Sequence, residues 1–238
     1  MIAVTFALPA ESSDFLRLLQ SRTRGHDQVI TGTLHGCRVS VLHTGVGREK
    51  TQSRVARFVQ HHKAELLISS GFAGAVDDTL AVGDLFIAEN FSDPTVVVAA
   101  LAALAEHDST VGRLATAPGI IDSAAERAQF AQRHGAAAVD METEFVAEIA
   151  ASIRLPMLSL RAISDTVAAP FPAPPSVLFD LARQRTVVSR FLLYLAQNPA
   201  AVPRLMKFAR QVALARRSLT GALQRVITRG AVTLLSPV

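Results

Sequence analysis

The sequence predicts an α/β fold in which helices cover a central and mostly parallel sheet. Short apolar runs rich in β-branched residues alternate with amphipathic stretches of helical period, and turn residues separate the two kinds of segment. Such alternation is typical of a sheet whose strands are joined by covering helices. Half of the 238 residues are apolar, which is ample for one sizeable core.

The first half of the chain supplies strands and helices in turn. The apolar run at residues 2–8 is a buried strand that ends at Pro9 and leads into an amphipathic helix. In chain order, the other predicted elements are strands at residues 31–34 and 38–43, a helix at 49–61, and strands at 65–69 and 85–88. Glycine-rich turns at residues 45–47 and 70–74 follow two of these strands.

The second half continues the alternation and ends in a basic segment. In chain order, the predicted elements are helices at residues 99–106 and 124–134, a strand at 137–140, a helix at 142–152, a strand at 156–163, a proline-rich loop at 169–175 and a helix at 177–197. Asn198 and Pro199 end this helix, because proline cannot continue it. We therefore expect a main domain over residues 1–197 and a basic, amphipathic C-terminal helical extension over residues 198–238.

The charge of the chain is divided unevenly along its length. Residues 1–180 carry 14 Lys and Arg against 20 Asp and Glu, whereas residues 181–238 carry ten basic residues and no acidic one. Such a split indicates a basic tail with a partner of its own. We do not expect nucleic acid as that partner, because Phe208 is the single aromatic residue between residues 204 and 229.

Composition also excludes several classes of protein. The sequence contains no uninterrupted apolar stretch of about 20 residues, and its N-terminus lacks the basic start and long apolar core of a secretory signal. The lone cysteine, Cys37, cannot form an internal disulfide, and no Cys/His spacing resembles a zinc site. We expect a cytoplasmic protein with neither a structural metal nor a cofactor.

Three acidic residues, Glu11, Glu142 and Asp165, lie at or just after the ends of predicted strands. Ligands of α/β sheets bind at the carboxyl ends of strands, so these residues are candidates for a site. Each has a simpler explanation when it is taken alone. A glutamate at the start of a helix complements the helix dipole, and Asp165 is equally well explained as a cap or turn residue.

Six short motifs raise the significance of these residues, because they occur together and in a known order. They are residues 6–11 (FALPAE), 44–47 (TGVG), 68–74 (ISSGFAG), 82–84 (VGD), 139–142 (VDME) and 160–165 (LRAISD). With this set the chain resembles the purine nucleoside phosphorylase/uridine phosphorylase family, especially the branch that hydrolyses methylthioadenosine and adenosylhomocysteine. The resemblance covers about residues 2 to 196 and implies a single-domain, three-layer α/β/α fold with a central mixed sheet.

The resemblance implies a role for each carboxylate in cleaving a purine from ribose. Asp165 would protonate, or hydrogen-bond to, N7 of the departing purine, and Ser164 would orient its carboxyl group. Glu142 would accept hydrogen bonds from the ribose hydroxyls, with Met141 against the sugar, and Glu11 would position or deprotonate the attacking water. Carboxylates stabilise an oxocarbenium-like sugar, and the leaving base needs an acid with a raised pKa in a dry pocket.

Phosphate is the alternative nucleophile. Phosphorylases with this motif order hold phosphate with an arginine and a serine, at positions where this chain has Ser69 and Phe72. Without the guanidinium, phosphate loses its main charge-assisted partner. Arg48 would have to replace it, and a surface position at a helix start is the simpler interpretation of Arg48. The resemblance therefore favours water, with Gly71 and Phe72 among the substrate contacts.

The segment at residues 119–123 lies where the family binds the edge of adenine through backbone groups. Ile120 and Ile121 would sandwich the base, and Asp122 would bond to N6. The alternative is a strand end followed by a helix cap at Asp122 or Ser123. The segment before it, residues 89–118, is shorter than in the family, which predicts an open 5′ side that admits a large substituent.

The basic tail favours a membrane partner. Residues 204–229 combine apolar residues at helical spacing with seven basic ones, which is typical of a helix in the surface of an anionic membrane. The alternatives are a helix packed on the domain and a subunit contact. Together with the open 5′ side, the tail indicates a lipid-linked nucleoside and a peripheral position on the inner face of the membrane. A hopanoid-associated branch of the family, which also has a bulky residue at the position of Phe72, converts adenosylhopane to ribosylhopane and adenine.

Other functions remain open from the sequence. The main alternative is a soluble methylthioadenosine/adenosylhomocysteine nucleosidase. A nucleosidase that acts on futalosine-type substrates and a purine nucleoside phosphorylase are further alternatives. A nucleoside sensor or membrane adaptor on the same fold is the non-enzyme alternative, although binding alone does not need the acid at Asp165. Members of the family usually pair through helices beside the active site, so we expect a homodimer.

Overall fold

Helices lie on both faces of a mixed sheet, as the sequence predicts. The computed structural model describes residues 1–25, 27–121, 123–168, 198 and 201–230. Within these residues the strands are β1 (Ile2–Phe6), β2 (Gln20–Arg24), β3 (Ile30–Leu34), β4 (Cys37–His43), β5 (Leu66–Ala75), β6 (Leu85–Ala88), β7 (Ser109–Gly112), β8 (Leu114–Thr116), β9 (Ala138–Asp140) and β10 (Met157–Asp165). They run in the order β2-β3-β4-β1-β5-β10-β6-β7, and β9 pairs with β5 and β8. Neighbours among β4, β1, β5 and β10 are parallel.

The helices divide between the two faces. They are α1 (Pro9–Leu18), α2 (Arg48–His61), α3 (Pro94–Ala103), α4 (Ala124–His134), α5 (Thr143–Ser152) and α6 (Ala201–Arg225), with a 3-10 turn at Glu89–Phe91 and a π-helical turn at Val226–Gly230 after α6. Apolar side chains of α1, α3 and α6 form the core on one face of the sheet, and those of α2 and α5 form the core on the other. The three-layer α/β/α arrangement is thereby confirmed.

Helix α3 begins earlier than the residue 99 that the sequence predicts. The side chain of Asp93 accepts a hydrogen bond from the backbone N–H of Thr95 at 2.9 Å, and Pro94 occupies the first turn. Both are start signals of a helix. They precede the apolar run on which the prediction rests, so the predicted helix starts too late.

The glycine-rich segment 70–74 is not the turn that the sequence predicts. Strand β5 continues through it and pairs in parallel with β10, with Gly74 opposite Asp165. A Cβ atom on Gly71 would lie 2.9 Å from Oε1 of Glu11, and one on Gly74 would lie 2.9 Å from Oδ2 of Asp165. The two glycines therefore allow two carboxylates to approach the strand, while strand pairing keeps the chain extended.

The C-terminal helix is present, and its second half belongs to the main core. Ala215, Leu219 and Leu223 are at most 1% exposed and pack with residues of β1 and β10. The apolar side chains in this second half therefore face the sheet, which is one of the alternatives considered for the tail, whereas Met206 in the first half is exposed. The domain boundary at residue 198 stays a prediction.

Three predictions fall outside the described residues: the proline-rich loop at 169–175, the helix at 177–197 and the role of Asp122. In the part of the chain that is described, no helix combines the length and the apolar character needed to cross a bilayer.

Candidate active site

The three predicted carboxylates meet at one edge of the sheet. Glu11 lies in the first turn of α1 directly after β1, Asp165 ends β10, and Glu142 follows β9. All three line one pocket of about 280 Å³, close to the volume at which small-molecule sites begin. Other predicted contacts line the same pocket: Phe72, Ile120, Ile121, Met141 and Ser164. Gly71 lines a smaller cavity beside it.

Glu11 is buried and accepts a backbone hydrogen bond at each oxygen. The N–H of Leu8 donates to Oε2 at 2.8 Å, and the N–H of Phe72 donates to Oε1 at 3.0 Å. Burial raises the pKa of Glu11, although these N–H groups and the charge of Arg161 act against the rise. Glu11 thus caps the start of α1 and also presents to the pocket a carboxyl suited to accepting a proton.

Asp165 is 3% exposed and has a donor at each oxygen. The hydroxyl of Ser164 donates to Oδ1 at 2.8 Å, and the guanidinium of Arg127, from α4, donates to Oδ2. The carboxyl of Asp165 is therefore as buried as the sequence predicts, but it is paired with a cation, Arg127, that is absent from the predicted site.

Glu142 lies within a cluster of like charges. Burial, and after it the charges of Asp140 and Glu11, raise the pKa of Glu142 well above its ordinary value of 4.5, while Arg161 acts in the opposite direction. A cation placed between carboxylates reduces the repulsion between them. The cluster is thus prepared for a ligand that carries or develops positive charge.

A second buried guanidinium, that of Arg161 in β10, connects the members of this cluster. It pairs with Asp140 at 3.1 Å, donates to Oγ of Ser69 at 2.8 Å and donates to the hydroxyl of Thr143. Arg161 is not among the predicted site residues. The signal that could have identified it is a charged residue inside an otherwise apolar strand, because arginine is almost never fully buried without a partner.

A small cavity adjoins Glu11 on the side of Arg161. Its volume of about 10 Å³ is close to the space that one water molecule requires. Its lining includes Ser70 and Arg161, whose Oγ and Nε atoms are buried without a hydrogen-bond partner among the described residues. A water molecule there would find Glu11 as an acceptor and other polar groups nearby.

The remaining walls of the pocket are apolar. They are formed by side chains from three parts of the fold: the segment before α4 (Ile120 and Ile121), β5 (Phe72) and α6 (Phe208 and Val212). The last two are not among the predicted site residues, because the sequence assigns their helix to a separate tail. Their position makes α6 part of the pocket as well as part of the core.

Arg48 has the surface position that its simpler interpretation predicts. Its guanidinium pairs with Glu148 at 3.2 Å and lies 4.4 Å from the ring centre of Phe145. Over the described ranges of the chain, no three His, Cys, Asp or Glu side chains are grouped so as to hold a metal ion.

Several solved structures share this fold. The chain superposes on a 5′-methylthioadenosine/S-adenosylhomocysteine nucleosidase from Streptococcus pneumoniae, bound to a transition-state inhibitor, with a TM-score of 0.73 and 21% identity over 96% of this chain and 98% of that one. For the corresponding nucleosidase from Colwellia psychrerythraea, in complex with adenine, the TM-score is 0.72 and the identity 15%, over 96% and 94% of the two chains. For the futalosine hydrolase of Helicobacter pylori these values are 0.71 and 15%, over 95% and 96%.

A family model also matches the chain. The model described as the phosphorylase superfamily matches residues 1–101 and 90–197, which is most of the chain. The matched ranges contain all three carboxylates and both buried guanidinium groups. The chain belongs to the phosphorylase superfamily.

Proposed function

We propose that the protein hydrolyses the N-glycosidic bond of an adenine nucleoside. The observation that carries this proposal is a single pocket with a buried carboxyl group at each end. Glu11 lies beside the water-sized cavity and Gly71, whereas Asp165 lies beside Gly74 and Arg127 in the larger pocket that Ile120 and Ile121 also line. A nucleoside fits this arrangement with its sugar towards Glu11 and its base towards Asp165.

In the proposed reaction, water attacks C1′ of the ribose while the bond from C1′ to N9 breaks. The electron pair of that bond moves into the purine. Glu11 takes a proton from the water and Asp165 delivers one to N7, so adenine leaves as a neutral molecule. Such acid–base assistance contributes about 10²–10⁴-fold for each group.

The sugar is bound by Glu142 and Met141 in this proposal. Glu142 accepts hydrogen bonds from the ribose hydroxyls, and Met141 lies against the face of the sugar. The ribose becomes cationic in the transition state, and this charge offsets the burial and, after it, the repulsion by Asp140 and Glu11 that raise the pKa of Glu142. The electrostatic stabilisation therefore grows as the bond breaks, as catalysis requires.

Water is the proposed nucleophile, and phosphate is the alternative. The cavity beside Glu11 has a volume of about 10 Å³, which suits one water molecule and is too small for phosphate. Two donors beside the cavity also already have acceptors. Arg161 pairs with Asp140, and the N–H of Phe72 donates to Glu11.

We further propose that the nucleoside carries a lipid at its 5′ position, as adenosylhopane does, so that ribosylhopane is the second product. The apolar wall formed by Phe208 and Val212 supports this, because both residues belong to a helix with a basic exposed side. On that helix Met206 is 55% and Leu214 47% exposed. Each Lys or Arg near an anionic membrane contributes about 1 kcal/mol, so the helix would place the protein peripherally on the cytoplasmic face.

Two other substrates have support from particular observations. Methylthioadenosine or adenosylhomocysteine is favoured by the likeness to the nucleosidases that act on them, and futalosine by the likeness to futalosine hydrolase. A homodimer is also part of the proposal, supported by the resemblance to families that pair beside the site. Sedimentation at several protein concentrations measures it.

One assay separates these substrates. Purified protein is incubated with adenosine, methylthioadenosine, futalosine and a lipid-linked adenosine, with and without phosphate, and the released base and the sugar product are identified. We expect an unphosphorylated sugar under both conditions, fastest turnover of the lipid-linked substrate and binding to anionic vesicles. Ribose 1-phosphate as the product would instead identify a phosphorylase. Efficient cleavage of methylthioadenosine without vesicle binding would contradict the lipid-linked substrate.

The non-enzyme alternative has its own test. A sensor or membrane adaptor needs the pocket but not the proton donor, so an Asp165→Asn protein would retain its function in cells. We expect that variant to lose adenine release by about 100-fold or more, because the leaving purine lacks its proton.

A further inference from the structure

Arg127 places a positive charge at the base end of the pocket, where the proposed mechanism does not use one. Its side chain is 1% exposed, pairs with Asp165 and donates to the carbonyl oxygen of Ala75 at 2.7 Å. Burying a guanidinium is costly unless it is paired and hydrogen bonded. The residue is therefore held in place by these two acceptors.

Packing alone does not account for an arginine at this position. Phe130 and Ala131, one turn further along the same side of α4, pack in an apolar cluster with Val76 and Val139. An apolar side chain at position 127 would extend that cluster without any electrostatic cost. The residue type is explained by the partner that it reaches, which is Asp165.

We propose that Arg127 is a positioning residue that makes Asp165 a more effective proton donor to N7 of the leaving purine. The inference rests on the proposed cleavage of a purine nucleoside. When the bond from C1′ to N9 breaks, its electron pair enters the purine ring and the proton passes from Asp165 to N7. A carboxylate remains on Asp165, and the guanidinium of Arg127 stabilises that product of the proton transfer.

Arg127 also fixes the direction of the carboxyl group. Ser164 donates to Oδ1 at 2.8 Å and Arg127 donates to Oδ2, so the two oxygens are anchored separately. Gly74 makes room for this arrangement, because a Cβ atom there would lie 2.9 Å from Oδ2 and 3.4 Å from Nη1 of Arg127. A proton donor that is held in one orientation does not populate unproductive orientations, so a larger fraction of bound substrate can react.

A double-mutant cycle tests the proposal with adenosine as the substrate. The proteins are the wild type, Arg127→Met, Asp165→Asn and the double variant, with Arg133→Met as the matched control. Arg133 lies on the same helix and is exposed. We expect Arg127→Met to lower kcat by about 100-fold with KM within about threefold, because the effect is confined to leaving-group protonation. In the Asp165→Asn background the same substitution should change kcat by less than about twofold.

Two further measurements separate positioning from structure. Arg127→Lys should recover about tenfold of the lost kcat, because an ammonium retains the charge but cannot hold Asp165 and Ala75 with one planar fork. Thermal unfolding of every variant shows whether it folds. If Arg127→Met does not unfold cooperatively, the cycle is run with Arg127→Lys, which keeps the buried pair.

The outcomes decide between the claims. A kcat of Arg127→Met within threefold of the wild type would overturn the inference, and so would an equal further loss in the Asp165→Asn background, since Arg127 would then act independently of Asp165. A wild-type protein that cleaves none of the nucleosides offered would instead overturn the proposed function itself.

Discussion

Replacing Gly74 by alanine tests the base end of the pocket with a single methyl group. The new Cβ atom would lie 2.9 Å from Oδ2 of Asp165, whereas Cβ atoms seldom come within 3.4 Å of another heavy atom. The carboxyl group would therefore have to move by about 0.5 Å, the difference between these two distances. Since a misplacement of about 1 Å costs about 100-fold in rate, we expect kcat for adenine release to fall about tenfold.

The assay is adenine release under saturating nucleoside, with kcat and KM determined separately. KM should change by less than about twofold, because the methyl group displaces the proton donor and leaves the sugar contacts in place. Gly25→Ala is the matched control, since its Cβ atom would meet the carbonyl oxygen of Val29 at an ordinary 3.8 Å. A Gly74→Ala protein that folds and turns over at the wild-type rate would show that the carboxyl of Asp165 does not act from this position.

Three other predictions test the sugar site, the tail and the core. The raised pKa of Glu142 means that the native state holds its proton more tightly than the unfolded chain, so the stability from this group is complete below pH 4.5 and is lost as the pH rises through the native pKa. Glu142→Gln should therefore raise the melting temperature at pH 8 and make the free energy of unfolding in urea fall less steeply with pH. Adenine release should fall about 100-fold. If the free energy of unfolding fell as steeply with pH as in the wild type, Glu142 would not be the source of this pH dependence. Reversing the charges of Arg204, Lys207 and Arg210 should weaken binding to anionic vesicles about 100-fold or more at an unchanged melting temperature, because all three side chains are exposed; equal binding would remove the tail from the membrane proposal. Leu219→Ala should lower the free energy of unfolding by about 2–5 kcal/mol, because Leu219 is 1% exposed, and a detached extension would show no such loss.

Local sequence patterns predicted the strands and helices well where one side of an element is apolar. The runs that became β1, β4, β6 and β10 are short and apolar, and so are easily recognised. Strand β2 (Gln20–Arg24) is fully exposed and polar, so it carries no alternation that could reveal it. Strand β2 forms because it pairs with one edge of β3, and this pairing depends on the sheet as a whole and not on those five residues.

The candidate site was predictable to the extent that its residues follow strand ends. Glu11, Glu142 and Asp165 do so, and they line one pocket. Arg127 lies inside a helix that reads as an ordinary amphipathic element, and its contact with Asp165 depends on how α4 docks against β5. Such contacts over long sequence distances are set by the tertiary fold, and no local spacing records them.

The glycine-rich segment 70–74 was predicted wrongly for the same reason, because its conformation also depends on distant residues. Two glycines within five residues predict a turn from composition alone. In the folded protein Gly71 and Gly74 lie within β5, and their missing side chains leave room for Glu11 and Asp165. The residue type was informative, but the reason for it lay in two carboxylates from elsewhere in the chain.

Strand β10 contributes a charged side chain to each of two neighbouring cavities, and its backbone sets the distance between them. Arg161 lines the small cavity beside Glu11 and Asp165 lines the larger pocket, and the Cα atoms of residues four apart in a strand are about 13 Å from each other. β5 pairs with β10 along this segment, with a shift in register between Ile163 and Asp165, and β6 pairs with its first part, so strand pairing fixes the spacing of the two side chains. A change in the separation of these two charged groups therefore requires a change in the sheet, whereas a change in α6 alters only the apolar wall of the pocket.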